Sequence, residues 1–332
     1  MLLWISFIIC TLIIFYGGNN LSKYGDIIAE NTGIGRTWVG LVIVASVTSL
    51  PELITGISSV TFVKVPEIAV GDVLGSCIFN LLILGFVGFF YKGASISYQT
   101  HHGNILGACF NIILLILVSL GLFLQSYIFP IGWIGVYTIL IIFTYFMAIR
   151  FVYLYEKREL QKIITERAKE LKYKGISLKK AIFKYVFNAI LVIIAASILP
   201  KIGKELAGVT NLGQIFVGNI FIAFSTSLPE LVVSISALRL KAVDLAIGNL
   251  LGSNLFNIII LAVDDLFFTK GPLLSFVSKN HLIPALFSIL MISIIIIGIL
   301  YRTEKKKILL AWDSLLIIII YLLNLMILYN LR

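Results

Sequence analysis

The chain alternates between long apolar runs and short polar loops. Ten apolar segments are legible, at roughly 2–20, 37–63, 67–91, 104–124, 128–153, 181–204, 213–239, 242–268, 281–301 and 309–330. Each is about 20 residues or longer, enough to cross about 30 Å of hydrocarbon as a helix. One such block alone could be a buried core helix. A succession of ten predicts an all-α polytopic membrane protein. The first run lacks a basic leader and a small-residue cleavage pattern, so it reads as the first span and not as a signal peptide. The only long polar stretch, 155–180, reads as a charged connector between a first five-helix half, 1–154, and a second, 181–332.

Charge sharpens this picture. Only 13% of the 332 residues are charged and 60% are hydrophobic. The net charge of +10 could point to nucleic acid, but the bases sit in short loops and make no groove-binding surface. With ten spans, 20 of the 26 Lys and Arg residues fall on one side and 6 on the other. The basic side is expected to be cytoplasmic. That puts 155–180 in the cytoplasm and both termini outside. Cys10, Cys77 and Cys109 all lie in apolar segments, without zinc-like spacing or a disulfide framework. His101 and His102 read as a solvated loop pair and not as metal ligands.

The second and seventh segments share a motif. VASVTSLPELITGISS (44–59) matches IAFSTSLPELVVSISA (222–237), with TSLPE intact at 48–52 and 226–230. The third and eighth segments share another, VGDVLGSCIFN (70–80) and IGNLLGSNLFN (247–257). The offsets are 178 and 177 residues, so one gap in a short loop reconciles them. Such a repeat indicates duplication. An odd number of helices per half, five, turns the second half over in the membrane. Transporters built as inverted repeats bind their cargo near the midplane, where the halves meet.

The repeat carries chemistry that a bilayer tolerates only for a reason. Glu52, Glu230 and Asp72 lie deep in apolar segments, where a charge costs about 2.5–3.5 kcal/mol even on the lenient insertion scale. Two glutamates at matched positions call for a compensating cation or a proton. A buried, protonated and hydrogen-bonded Glu is the competing structural account. The neighbours fit a hard cation, which takes six to eight oxygens from carboxylates, carbonyls and hydroxyls. Thr48 and Glu52 share a helix face, as do Thr226 and Glu230. Pro51 and Pro229 lack the N–H that would reach the carbonyls of Val47 and Ser225. Asp72, Ser76 and Asn80 recur every four residues, and so do Asn249, Ser253 and Asn257. Ser and Asn also serve as interhelical glue, and Asp72 and Asn249 could cap a helix; the spacing leaves both open. Gly71, Gly75, Gly248 and Gly252 favour close approach of backbones.

These motifs resemble the cation/Ca2+ antiporter superfamily, and within it the prokaryotic Na+/Ca2+ exchangers. The two repeats look like residues 37–90 and 213–268, and the five-plus-five plan covers the whole chain. The resemblance implies four helices around a midplane cation cluster. By match, Glu52 and Glu230 are central Ca2+ ligands shared with Na+, flanked by Thr48, Ser49, Thr226, Ser227 and the carbonyls of Ala45 and Ala223. Ser76, Ser253, Asn80 and Asn257 complete the cluster. Family members often carry Gly where Val47 and Ser225 stand, Asp where Asn257 stands, and Asn where Asp72 stands. The implied activity is exchange of Ca2+ for Na+ by alternating access, with proton/Ca2+ exchange on the same scaffold as the alternative. Transported Ca2+ and Na+ and the lipid bilayer are the implied partners, with no prosthetic group and no obligatory protein partner. A cation channel fits less well, since channel filters use symmetry between subunits. An enzyme is not expected: no HExxH motif and no nucleophile–base pattern is present.

Overall fold

The computed structural model describes residues 2–32, 48–90, 102–163, 177–239, 243–301 and 312–331. The helices, in chain order, are α1 (Leu2–Thr32), α2 (Leu50–Val63), α3 (Pro66–Phe90), α4 (His102–Phe123), α5 (Val136–Ile163) and α6 (Leu178–Thr210). They continue with α7 (Gln214–Thr226), α8 (Leu228–Arg239), α9 (Val243–Phe267), α10 (Leu282–Tyr301) and α11 (Trp312–Asn330). Among the described residues, eight helices are long and apolar enough to cross a membrane, and α7 with α8 forms a ninth candidate bent by 46°. Helix α2 is too short to cross alone. The first part of the expected 37–63 span, 37–47, lies outside the described residues, as do His101 and half of the connector, 164–176.

Helix α5 runs to Ile163, into the expected connector, and three further boundaries differ from the sequence expectation for a local reason. Helix α1 runs to Thr32, well past residue 20, because LSKYGDIIAENT contains no proline and only one glycine. Helix α6 runs to Thr210, where Asn211 takes a left-handed conformation and ends it. The 128–153 segment does not start as a helix. Pro130–Ile131 (β1) and Ile134–Gly135 (β2) form a small antiparallel hairpin around Gly132, whose φ of 68° suits glycine, and α5 begins only at Val136.

Packing follows the repeat. α1 lies along α6, α3 against α9, and α4 against α10, so each pairs with its counterpart at the offset of the two motifs. α3 and α9 form the centre, and in the outer helices α1, α5 and α6 most residues are at least partly exposed to the surroundings. The glycines of α3 allow a backbone-to-backbone approach to α7. A Cβ at Gly71 would stand 3.2 Å from the Cα of Gly218, which begins a π-helical turn, Gly218–Ile222.

The end of the bundle near the hairpin is tied by side chains. Asp265, fully buried on α9, accepts hydrogen bonds from Gly135 N (2.9 Å), Tyr137 OH (3.0 Å), Leu273 N (2.5 Å) and Thr138 Oγ1. Nearby, Glu67 at the start of α3 accepts from Ser278 N at 2.8 Å and sits 2.6 Å from His281 Nε2.

Candidate functional site

The second TSLPE motif breaks its helix at Ser227, between Thr226 and Leu228, and in the first the helix α2 begins just after Ser49. Ser49 has φ −85° and ψ 13°, and Ser227 has φ −87° and ψ 7°, nearly the same departure from helical geometry. Proline two residues later supplies the cause. It cannot donate to the preceding turn, and its ring crowds that turn's carbonyl. Past each serine the chain is helical, with Leu53 N bonded to Ser49 O and Leu231 N to Ser227 O, both at 3.2 Å. Glu52 and Glu230 therefore sit in the first turn after a break, where backbone N–H groups are left over and favour an anion.

The breaks from the two halves meet. Ser49 Oγ donates to Glu230 Oε1 at 3.0 Å, and Ser227 Oγ donates to Glu52 Oε1 at 3.2 Å. Each half thus holds the other half's glutamate. Ser76 Oγ also reaches Glu52 Oε1 at 3.4 Å and lies 3.4 Å from Thr226 Oγ1, while Thr48 Oγ1 lies 3.5 Å from Ser253 Oγ. All of these side chains are fully buried. Glu52 Oε2 and Glu230 Oε2 have no hydrogen-bond partner among the described residues. One oxygen of each carboxylate is fixed, and the other is available to a cation.

Asp72 joins the cluster. It lies inside α3, six residues past the first, so it is no helix cap. Its Oδ1 accepts from Thr226 Oγ1 at 2.8 Å, and its Oδ2 is unpartnered among the described residues. Its repeat counterpart, Asn249, behaves differently: its Nδ2 donates to Ser234 Oγ at 3.3 Å, linking α9 to α8. The two asparagines of the motif also differ. Asn80 Nδ2 donates to Asn254 Oδ1 at 2.9 Å, whereas both amide atoms of Asn257 are buried and unpartnered among the described residues. The carbonyl of Ala223 already accepts from Ser227 N at 3.0 Å and from Thr226 Oγ1 at 3.3 Å, so only its remaining lone-pair capacity is open. Ala45 lies outside the described residues.

Sequence reasoning missed three buried polar residues near this region. Asn254, the repeat counterpart of Cys77, donates to the Cys77 carbonyl at 3.1 Å and ties α9 to α3. Its place in the second motif was a signal. Asp264 and Asp265 are both fully buried on α9, but their position near the end of an apolar run gave them the look of a loop edge.

The arrangement offers two glutamates, one aspartate, hydroxyls and amides in a dry centre between two related halves. That suits a hard cation, which favours carboxylate and neutral oxygen. A search among known proteins agrees with the geometry. The family model described as sodium/calcium exchanger protein matches residues 2–154 and 180–330. The inner membrane protein YrbG of Escherichia coli is 28% identical over 260 residues, 76% of each chain. The sodium/calcium exchanger MaX1 of Methanosarcina acetivorans is 28% identical over 151 residues, 45% of this chain and 41% of that one. Among solved structures, the sodium-calcium exchanger NCX_Mj soaked with 2.5 mM Na+ and 0.1 mM Ca2+ shares the fold, with a TM-score of 0.62, 21% identity and 98% coverage of both chains. The chain belongs to the sodium/calcium exchanger protein family, and is a membrane-embedded cation/Ca2+ exchanger.

Proposed function

We propose that this exchanger couples Ca2+ to Na+, moving both in opposite directions through one central site by alternating access. The observation that carries the reading is the reciprocal pair, in which Ser49 holds Glu230 and Ser227 holds Glu52, each glutamate keeping one oxygen unpartnered among the described residues. In this reading Glu52 and Glu230 are the charged ligands, and Thr48, Ser49, Ser76, Thr226, Ser227 and Ser253 supply hydroxyls. Asn80 and Asn257 supply amide oxygens, and Ala45 and Ala223 supply carbonyls. Asp72 adds a third carboxylate. Neutral oxygens solvate Na+ well and do little for a proton, which favours sodium. The competing proton-coupled reading draws on the same carboxylates, with Asn257 in place of an acid.

Ten spans, arranged as inverted halves 1–154 and 181–332 around the connector 155–180, complete the proposal. The pairing of α1 with α6, α3 with α9 and α4 with α10 supports two related halves. The basic loops support a cytoplasmic connector and external termini. Lys23 and Lys184 both lie over the Tyr24 ring, 5.8 and 5.4 Å from its centroid, which agrees with their assignment to one side. The exchanger needs no prosthetic group and no protein partner in this account; Ca2+ and Na+ are its cargo.

The test is uptake of radioactive Ca2+ into proteoliposomes with the membrane potential clamped. Uptake driven by an outward Na+ gradient is expected. Uptake that follows only an outward proton gradient would refute sodium coupling while leaving the site assignment intact.

A further inference from the structure

Asp264 has no part in the central cluster as described. It lies on α9 seven residues past Asn257, about 10 Å farther along the helix. Its side chain is fully buried, and neither carboxylate oxygen has a hydrogen-bond partner among the described residues. The carboxylate is set against Gly56 of α2, one turn past Glu52. A Cβ at position 56 would collide with both oxygens and stand 2.8 Å from Cγ. Glycine at 56 is what makes room for this acid.

Burial and acidic neighbours add to the cost of charge on Asp264 instead of relieving it. The ionisable groups that act on it are Asp72 from α3 and its own neighbour Asp265, both acidic. The ionisable groups on the other elements against α9 include Glu52 from α2, Cys109 from α4, Glu230 from α8, and Tyr137, Tyr145 and Arg150 from α5, and none of them hydrogen-bonds Asp264. Among the described residues no lysine, arginine or histidine pairs with Asp264. A bare carboxylate in an apolar interior is costly and is neutralised in practice. Ionisable groups buried in membrane segments mark ion pathways.

The site also belongs to one half only. The repeat offset places Val87 opposite Asp264 and Ser234 opposite Gly56. The duplication therefore does not account for it, unlike Glu52 and Glu230.

We propose that Asp264 binds one monovalent cation, a proton or Na+, at a site beside the central cluster and walled by Gly56. A single carboxylate balances a single positive charge. Ca2+ needs six to eight oxygens, and a carboxylate pressed on glycine does not provide them. Gly56 and Glu52 share α2, so any displacement of α2 that opens the central cluster also moves the wall of this site. The Asp264 cation then enters or leaves in step with the cargo. The inference rests on the exchanger reading and adds to it a second, separate place for the coupling ion.

The experiment uses the full chain in proteoliposomes and separates two modes. Ca2+–Ca2+ exchange requires only the central cluster; net uptake driven by a monovalent gradient also requires Asp264. Asp264→Asn is expected to leave Ca2+–Ca2+ exchange within about twofold and to lower gradient-driven uptake by about tenfold or more. Infrared difference spectra of the purified protein identify the ion. A protonated-acid band lost in Asp264→Asn assigns a proton, and a carboxylate band that shifts on Na+ addition and is lost in the variant assigns Na+. Should Asp264→Asn fail to fold, the same spectra on the wild-type chain with isotope-labelled aspartate, compared with Asp264→Glu, decide the matter. Equal loss in both transport modes, no loss in either, or spectra without an Asp264-dependent response would overturn the proposal. Wild-type protein lacking Ca2+–Ca2+ exchange would instead overturn the exchanger reading, and the spectra would still decide the site.

Discussion

Asp264 and Asp265 are adjacent in the chain and equally buried, yet their circumstances are opposite. Asp265 accepts four hydrogen bonds, from the β-hairpin, from α5 and from the loop after α9. Asp264 accepts none among the described residues. A buried carboxylate saturated by donors is an anchor. Its charge is dispersed over fixed dipoles, and no capacity remains for an ion. A buried carboxylate without donors has a charge still to be balanced, by a held proton or by a bound cation, which is the basis of the proposal for Asp264. Glu52 and Glu230 stand between these extremes. One oxygen of each is held in place by a serine from the other half, and the second oxygen stays open. Partial satisfaction gives orientation without saturation, which is what the proposed role of a ligand that releases its ion on every cycle requires.

The largest expected effect tests the intermediate class. Glu52→Gln or Glu230→Gln keeps the shape and removes one of the two matched charges. Each should lower Ca2+ transport by about 100-fold or more, because charge count sets Ca2+ affinity, and Ca2+-dependent thermal stabilisation should weaken alongside. The protein should stay monodisperse in detergent. Near-normal uptake by either variant would remove that glutamate from the site.

The saturated class predicts the reverse pattern. Asp265→Ala leaves buried donors of Gly135, Leu273, Tyr137 and Thr138 without an acceptor. An unmatched buried donor costs about 1–3 kcal/mol, so thermal stability should fall sharply. Exchange per folded molecule should remain within about threefold, since Asp265 has no capacity left for an ion. A stable Asp265→Ala protein with lost transport would break the distinction between anchor and site.

Much of the central site was legible in the sequence. The TSLPE pair and the two glycine-serine-asparagine stretches mark four helices and the buried polar side chains between them, but recurrence alone does not separate ligand from packing: Asn80 ties to Asn254 and Asn249 to Ser234. The pairings were not legible. That Ser49 would hold Glu230, and not Glu52 on its own helix, depends on how the two breaks meet in space. Asp72 could be a cap or a cavity group on spacing alone; only its place inside α3, against Thr226, decides. Asp264 and Asp265 were hidden for a different reason. Acidic residues near the end of an apolar run look like a helix edge, and Asp265's donors come from positions more than 100 residues earlier in the chain as well as from a nearby loop. The hairpin at 130–135 was masked because its residues are as apolar as the helix they precede. Pro130 and Gly132 were the local hints, and the hydrophobic pattern outweighed them.

The central claim is that the reciprocal glutamates enclose the divalent cargo. The most direct measurement is anomalous diffraction from crystals of the full chain grown or soaked with Sr2+ as a Ca2+ substitute. The account predicts one strong peak between Glu52 and Glu230, within coordination distance of both, and its loss in Glu52→Gln. A peak at Asp264 with none between the glutamates, from protein that exchanges Ca2+, would contradict it.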